Sequence, residues 1–492
     1  MSLTPRMVAL GAVAVPAVLA VLFWAFHGSV TSIARGVWAS ATWKVILIGV
    51  VVALVLLAKS RRKLSALVVV LVILAAIPGA FLGGFTRQSA LLGSVKTVEH
   101  DQPGYDWRLP WATAAASADS RAGDVVGDFD STDTTFLPAS NSYATPVLAR
   151  GRLVNGFNQV AVQSRTAATA TVCSFAAQVP VDQGWFAYNL RRALSFVDPR
   201  LMATGSDVWV YCDGKAAKLV IPVTKYVGFP ESHRLPAGVL VYDGKTVTHL
   251  KSVQAGALPG PVYPQSLAAA QRESTQAADG LGARVFNRAG FETVEGGAAN
   301  PDDGNVSELL LNRTDKTGWD YVTALTPRGT SKSIAAVSTI AADRVTYGTL
   351  NPLTIHKLAR SREGNTALSN RVVTAFPVLN WKANSLEIIE VLPTSDGLWT
   401  ATIANATSAT RRVQIKADRS LCLTDLAGTV QRCVDADGAT QSASGEPIQA
   451  GTGAGGRPIA PSADLTALTN SELADLQARV AAEVTNRLTA EK

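Results

Sequence analysis

The stretch KSRRKLSALVVVLVILAAIPGAFLGGF, residues 59–85, sets four basic side chains directly before 22 residues without a charge. At about 1.5 Å of rise per residue, a helix over Leu64–Phe85 is long enough to cross the hydrocarbon core of a bilayer. Upstream, Val45–Ala58 is apolar over only 14 residues; extension back to Val37 gives 22, with Lys44 as the one charge, able to snorkel to the interface. Met7–Phe26 is a third uncharged run, of 20 residues. Trp24, Trp38 and Trp43 stand near the ends of these runs, where indole rings favour the headgroup layer. Residues 1–96 therefore read as a membrane anchor of three transmembrane α-helices, with the lipid bilayer as its first partner.

The basic residues orient that anchor. Lys59, Arg61, Arg62 and Lys63 fill the second turn and Arg6 precedes the first run, whereas the opposite ends carry Arg35, Lys44, Arg87 and Lys96. Short loops rich in Lys and Arg stay in the cytoplasm. The expected topology is a multi-pass cell-membrane protein with a cytoplasmic N-terminus and everything beyond about residue 87 extracytoplasmic. Ala39-Ser40-Ala41 resembles a signal cleavage site, but it lies well past the first apolar run, which favours a retained anchor.

Charge is divided as sharply as hydropathy. The chain carries +7 overall, yet residues 1–96 hold nine basic and no acidic residues, leaving 36 basic against 38 acidic in the rest. The basic excess is a topology signal and gives no support for nucleic-acid binding. No Asp, Glu or Arg lies within the three apolar runs, which argues against a proton or ion path through them. Gly79 and Gly83 form a small-residue step on the third run, open either to lipid or to a second helix, and self-association is one partner expectation.

Cys173, Cys212, Cys422 and Cys433 all follow the anchor. An even count in an outward-facing region predicts two disulfides. The sequential pairing is favoured, because the short stretch between Cys422 and Cys433 reads as two strands around a turn. No Cys-x-x-Cys or His pair suggests zinc, and no cofactor is expected.

The remainder reads as an α+β body, mainly antiparallel β, in two subdomains over 97–260 and 261–437, divided at Gly256-Ala257-Leu258-Pro259-Gly260. Asp213-Gly214 and Asp243-Gly244 each stand between β-branched and aromatic runs, the strongest short signal for a hairpin. Further strands are expected at Leu386–Val391, Leu398–Ala404 and Arg412–Lys416, and helices at Gln265–Ala278 and Thr366–Phe376. Residues 438–464 are a Gly-, Ala-, Ser- and Pro-rich linker expected to be disordered. Over 465–492, Leu473, Leu476, Val480, Val484 and Leu488 make the apolar stripe of an amphipathic helix that docks on this body or on a partner.

Motifs of chemistry are sparse. Gly451–Gly456 matches the dinucleotide fingerprint in letters but lacks the strand and helix that make it work. The five histidines form no helical pair. Asp124, Asp128, Asp130 and Asp133 offer hard oxygen donors suited to Ca²⁺, although the glycine turn and closing Glu of an EF-hand are missing and a solvated acidic loop is the simpler reading. No catalytic set is evident. The leading expectation is a non-enzymatic binding or assembly protein of the bacterial cell envelope, the bacterial assignment resting on Ala-, Val-, Gly- and Arg-rich usage. The alternative is a membrane-bound extracytoplasmic hydrolase or transferase acting on wall or lipid substrates, built from distant groups such as Asp128 or Asp130 with His233 or Glu231.

Overall fold

The computed structural model describes residues 27–441, apart from residues 60, 122–124, 126, 131–132, 151–155, 165–169, 183, 185–187, 287, 295–308, 396, 406–407 and 437–439. It opens with a helix, α1 (27–39), followed by α2 (Ala41–Ala58) and α3 (Arg62–Leu92). Among the described residues, α2 and α3 are the two helices long and apolar enough to cross a membrane, where the sequence predicts three. The first expected span, Met7–Phe26, lies outside the described residues.

The second expected span is divided at Ser40. Its backbone is extended and its hydroxyl accepts from the Trp43 amide at 3.5 Å, so it caps α2 and leaves Val37 and Trp38 in α1. The third is longer than expected: α3 runs on past Phe85 to bury Leu91 in the body's core. Only 11% of the most apolar α2 window and 6% of that in α3 is buried, so Leu47, Ile48, Leu71 and Ile77 face outward. The two helices form an antiparallel pair around the basic turn. Gly49 admits Val72, Ser65 donates to the Ala53 carbonyl at 3.1 Å, and a Cβ at Gly79 would lie 3.1 Å from Thr42 Oγ1. Gly79 thus serves a close approach within the chain.

Two residues after α3 ends, Val95–Glu99 enters a six-stranded sheet, parallel to Leu353–Arg362. Ile334–Ala341 and Trp319–Pro327 continue it antiparallel, with Phe291–Thr293 and Leu309–Asn312 both pairing to Trp319–Pro327. Side chains alternate along a strand, and here both faces are covered. Trp319, Tyr321 and Leu325 point into one core; Val322 and Ala324 point into another.

The first core lies against a nine-stranded sheet built between Asp128 and Leu250, and continues across residue 260 through Tyr263 and Leu267. Both Asp-Gly hairpins are present in this sheet, with Cys212 opposite Ala217 and Tyr242 opposite Val247. Gly214 and Gly244 take φ of +60° and +98°, which explains the residue type at each turn. Strands Thr171–Val179 and Ala216–Val227 meet through a single parallel pair, Ser174 with Ala216. The Cys173–Cys212 disulfide closes the sheet beside that thin contact.

The second core packs Leu368, Val372 and Phe376, from the helix Asn365–Ala375 and its C-cap, against a six-stranded meander over Glu387–Gln441. Cys422 and Cys433 stand opposite each other in that meander and are bonded, giving the sequential connectivity. Its last strand, Thr440–Gln441, pairs with Cys433 and Val434, so the sheet reaches into the segment expected to be linker. The rest of that linker and the helix carrying Leu473, Leu476, Val480, Val484 and Leu488 lie outside the described residues.

Candidate functional site

The segment Tyr105–Leu109 stitches the three sheets together. The Tyr105 amide donates to the Thr394 carbonyl at 2.7 Å and the Asp106 amide to the Asn312 carbonyl at 2.8 Å. Trp107 Nε1 reaches Thr402 Oγ1 at 2.9 Å. Arg108 then spends one guanidinium on all three sheets: it donates to the Leu310 carbonyl at 3.1 Å, to Tyr143 Oη at 2.5 Å and to Glu390 Oε1 at 2.7 Å. Arg108 and Glu390 are both buried. Burial works against the Arg108 charge, but Glu390 and Tyr143 more than offset it and its pKa is raised. Burial pushes the Tyr143 phenol up, and the Tyr105 phenol likewise, so both stay protonated.

Beside this junction opens a cavity of about 610 Å³, lined by all three sheets. Trp107, Phe136 and Trp319 give it aromatic walls, and Asn141 and Asn312 line it with amide groups. Its cations are held in place. Arg313 pairs with the buried Asp320 at 2.7 Å, Lys316 with Asp106, and Arg412 lies over the Trp107 ring at 4.6 Å while donating to the Asp425 carbonyl. The Trp319 indole N–H is buried and has no hydrogen-bond partner among the described residues. A buried donor without an acceptor costs about 1–3 kcal/mol. Aromatic faces, amides and anchored cations form a set for binding polar rings and anionic groups.

The acidic residues singled out in the sequence separate. Asp128 pairs with Arg150 on the exposed surface, and Asp124 lies outside the described residues. Asp130 lies near Asp133, whose carboxyl is pushed up to about 7 by burial, with the charges of Asp130 and Asp182 adding to the shift. Among the described residues no three His, Cys, Asp or Glu side chains gather to hold a metal. Nor do Asp128 and Asp130 meet His233 and Glu231. Asp128 and His233 stand on strands that are not neighbours, with four strands paired between them in the nine-stranded sheet.

Glu231 has a different role. It sits at the tip of the hairpin joining Ala216–Val227 and His233–Tyr242, against the break between α1 and α2. Its carboxylate accepts from the Ala41 amide at 2.7 Å and pairs with Arg87 of α3 at 2.9 Å. The Ser232 amide donates to the Ala39 carbonyl at 2.9 Å, and Lys44 Nζ donates to the Pro230 carbonyl at 2.6 Å. A negative charge at the start of α2 also meets the positive end of its dipole. The tip thereby clamps both apolar helices to the body, and Gly83 leaves room for the carboxylate, 3.0 Å from where a Cβ would stand.

Sequence reasoning passed over Arg108, although a signal exists: one charge within Trp107-Arg108-Leu109-Pro110-Trp111 marks a cation that burial must pair. The cavity walls offered none, since Phe136, Trp319 and Arg412 come from distant strands. Comparison with protein-family models, with curated proteins and with solved structures finds no match for this chain.

Proposed function

We propose that this chain is a membrane-anchored binding or assembly protein of the bacterial cell envelope, holding its β body outside the cytoplasm. The outward apolar surfaces of α2 and α3 support the anchor, because side chains such as Ile48 and Ile77 then face lipid. Two disulfides fit an oxidising compartment. The basic turn at Lys59, Arg61, Arg62 and Lys63 lies at the far end of the helix pair from the body, the arrangement that the positive-inside rule favours for an outward body.

One observation carries the binding role: the cavity of about 610 Å³ walled by Trp107, Phe136 and Trp319 and edged by the anchored cations of Arg313, Lys316 and Arg412. Its occupant, on this reading, is a hydroxyl- and carboxylate- or phosphate-bearing group of an envelope glycan or partner. Titration of the purified full chain with soluble anionic wall-glycan fragments tests it through tryptophan fluorescence. Saturable quenching, weakened in Lys316→Glu and in Trp319→Phe, is expected. Absence of any response, together with chemical crosslinking on intact cells that captures only the chain itself, overturns the reading.

A further inference from the structure

A second cavity, of about 290 Å³, lies between α1 and the nine-stranded sheet, and its lining is unusually basic. Arg35, Arg191 and Arg234 contribute three guanidiniums, against Asp207 as the one lining carboxylate. Asp207 is already committed: its oxygens accept from the Ser266 amide at 2.8 Å, and from the Ser266 and Thr204 hydroxyls at 2.7 Å each. Neutral and remote groups hold the arginines in place. Arg234 donates to the Ser266 carbonyl at 2.8 Å, Arg35 to the carbonyls of Thr31 and Leu201, and Arg191 stands 3.5 Å from Asp182 outside the lining. Burial lowers the pKa of Arg35, partly offset by Tyr226, and the Arg191 charge lowers it further. Positive charge is thus concentrated, with three guanidiniums against one lining carboxylate that is itself held by Ser266 and Thr204.

The wall formed by α1 is inverted relative to a soluble helix. Its polar side meets the body, where His27 Nδ1 lies 2.7 Å from Ser195 Oγ and Gly28 fits against the Arg192 backbone. Its apolar stripe faces out: Val30, Ile33 and Trp38 are 42%, 68% and 63% exposed. The stripe continues onto neighbours. Phe196, stacked on His27, is 60% exposed, and Phe229 at the clamp tip is 78% exposed, with Lys44 Nζ within 5.1 Å of both its ring and that of Trp38. Arg35 is six residues from the first residue of α2, across the last turn of α1 and the break at Ser40. An apolar surface at the entry of an apolar helix, backed by a basic cavity, has the layout of a membrane interface with acyl chains on one side and phosphates behind.

We propose that this cavity binds the phosphate of an anionic phospholipid from the leaflet beneath the body, while the α1 stripe rests among its acyl chains. The proposal rests on the membrane-anchored reading above. Its chemistry is phosphoryl recognition by a cluster of guanidiniums, which match phosphate oxygens two at a time.

Native mass spectrometry of the detergent-purified full chain tests it, with phosphatidylglycerol, phosphatidylcholine and inorganic phosphate as probes. The wild-type protein is expected to retain phosphatidylglycerol over phosphatidylcholine by roughly tenfold or more, with inorganic phosphate at equal concentration displacing little of it. Arg191→Gln with Arg234→Gln should abolish the preference, and Arg191→Gln alone, which alters a mostly exposed side chain, should reduce it severalfold. Arg150→Gln on the far edge of the sheet should leave it intact. Equal retention of both lipids, or a preference unchanged in the Arg191 variants, overturns the proposal; ready displacement by inorganic phosphate overturns the lipid as its source. Alkaline extraction of the membranes separates the two readings. A chain that resists extraction yet shows no preference disproves this site alone, whereas a chain released by alkali disproves the anchor beneath it.

Discussion

The α2–α3 pair and the central six-stranded sheet are both strongly apolar, and they end in opposite surroundings. Leu47, Ile48, Leu71 and Ile77 on the helices face outward, whereas Tyr321, Val322, Leu325 and Val337 on the strands are covered on both faces. The backbone explains the difference. A helix satisfies its own N–H and C=O groups and is free to carry an apolar surface into lipid, but a strand needs neighbours for its ladder. Polar residues follow the same division. The strands bury Asp320, Thr323, Ser338 and Thr339 and give Asp320 and Thr339 partners in Arg313 and His356, while the apolar run of α3 contains one polar side chain, Ser65, turned onto α2. Hydrophobicity says that a surface leaves water; length, charge and pairing say what covers it.

The sharpest way to break the body's half of that comparison is at Arg108. Arg108→Leu leaves Glu390 buried without its cation and should lower unfolding free energy by about 3–5 kcal/mol in urea titrations of the full chain. Adding Glu390→Leu should restore most of the loss. Replacing Cys173 and Cys212 by Ala should cost about 4 kcal/mol in the chain-entropy model, against about 3 for Cys422 and Cys433, whose closed loop is shorter. Thermal unfolding should rank the two variants in that order.

The comparison itself is sharpened by a matched pair of truncations. Leu325→Ala, in the two-faced sheet, should cost about 3 kcal/mol, whereas Ile48→Ala on the outward face of α2 should change body stability by less than about 0.5 kcal/mol. A smaller effect is expected at Asp133, whose carboxyl titrates near 7 in the fold and near 3.8 without it. The folded chain keeps a proton that the unfolded chain releases, so stability falls as pH rises from about 4 to 7 and the cost stays in place above 7. Asp133→Asn should therefore stabilise by about 1–2 kcal/mol at pH 8 and by nothing measurable near pH 4, read from paired melts at both values.

Local chemistry made part of this legible in the sequence. The Asp-Gly pairs announced two hairpins because their turns need positive φ, and Leu368, Val372 and Phe376 announced a helix through their spacing. Ser40 was harder to read, since a cap inside a mostly apolar run looks like continuation until the chain bends there. The cavity was not legible at all. Trp107, Phe136, Trp319 and Arg412 meet only because three sheets pack around Arg108, and no pattern along the chain records that packing. Asp128 and His233 show the converse: residues of suitable type on one sheet, kept on separate, non-neighbouring strands by strand order.

The most direct test of the central claim, that the helix pair crosses lipid and holds the body on the side opposite its basic turn, is a labelling experiment on intact cells. All four native cysteines are bonded, so an introduced thiol is the one that reacts. With a membrane-impermeant maleimide, Lys251→Cys in the body should label on intact cells, and Lys59→Cys in the turn should label only after lysis. Labelling of both on intact cells, or of Lys59→Cys alone, contradicts the account.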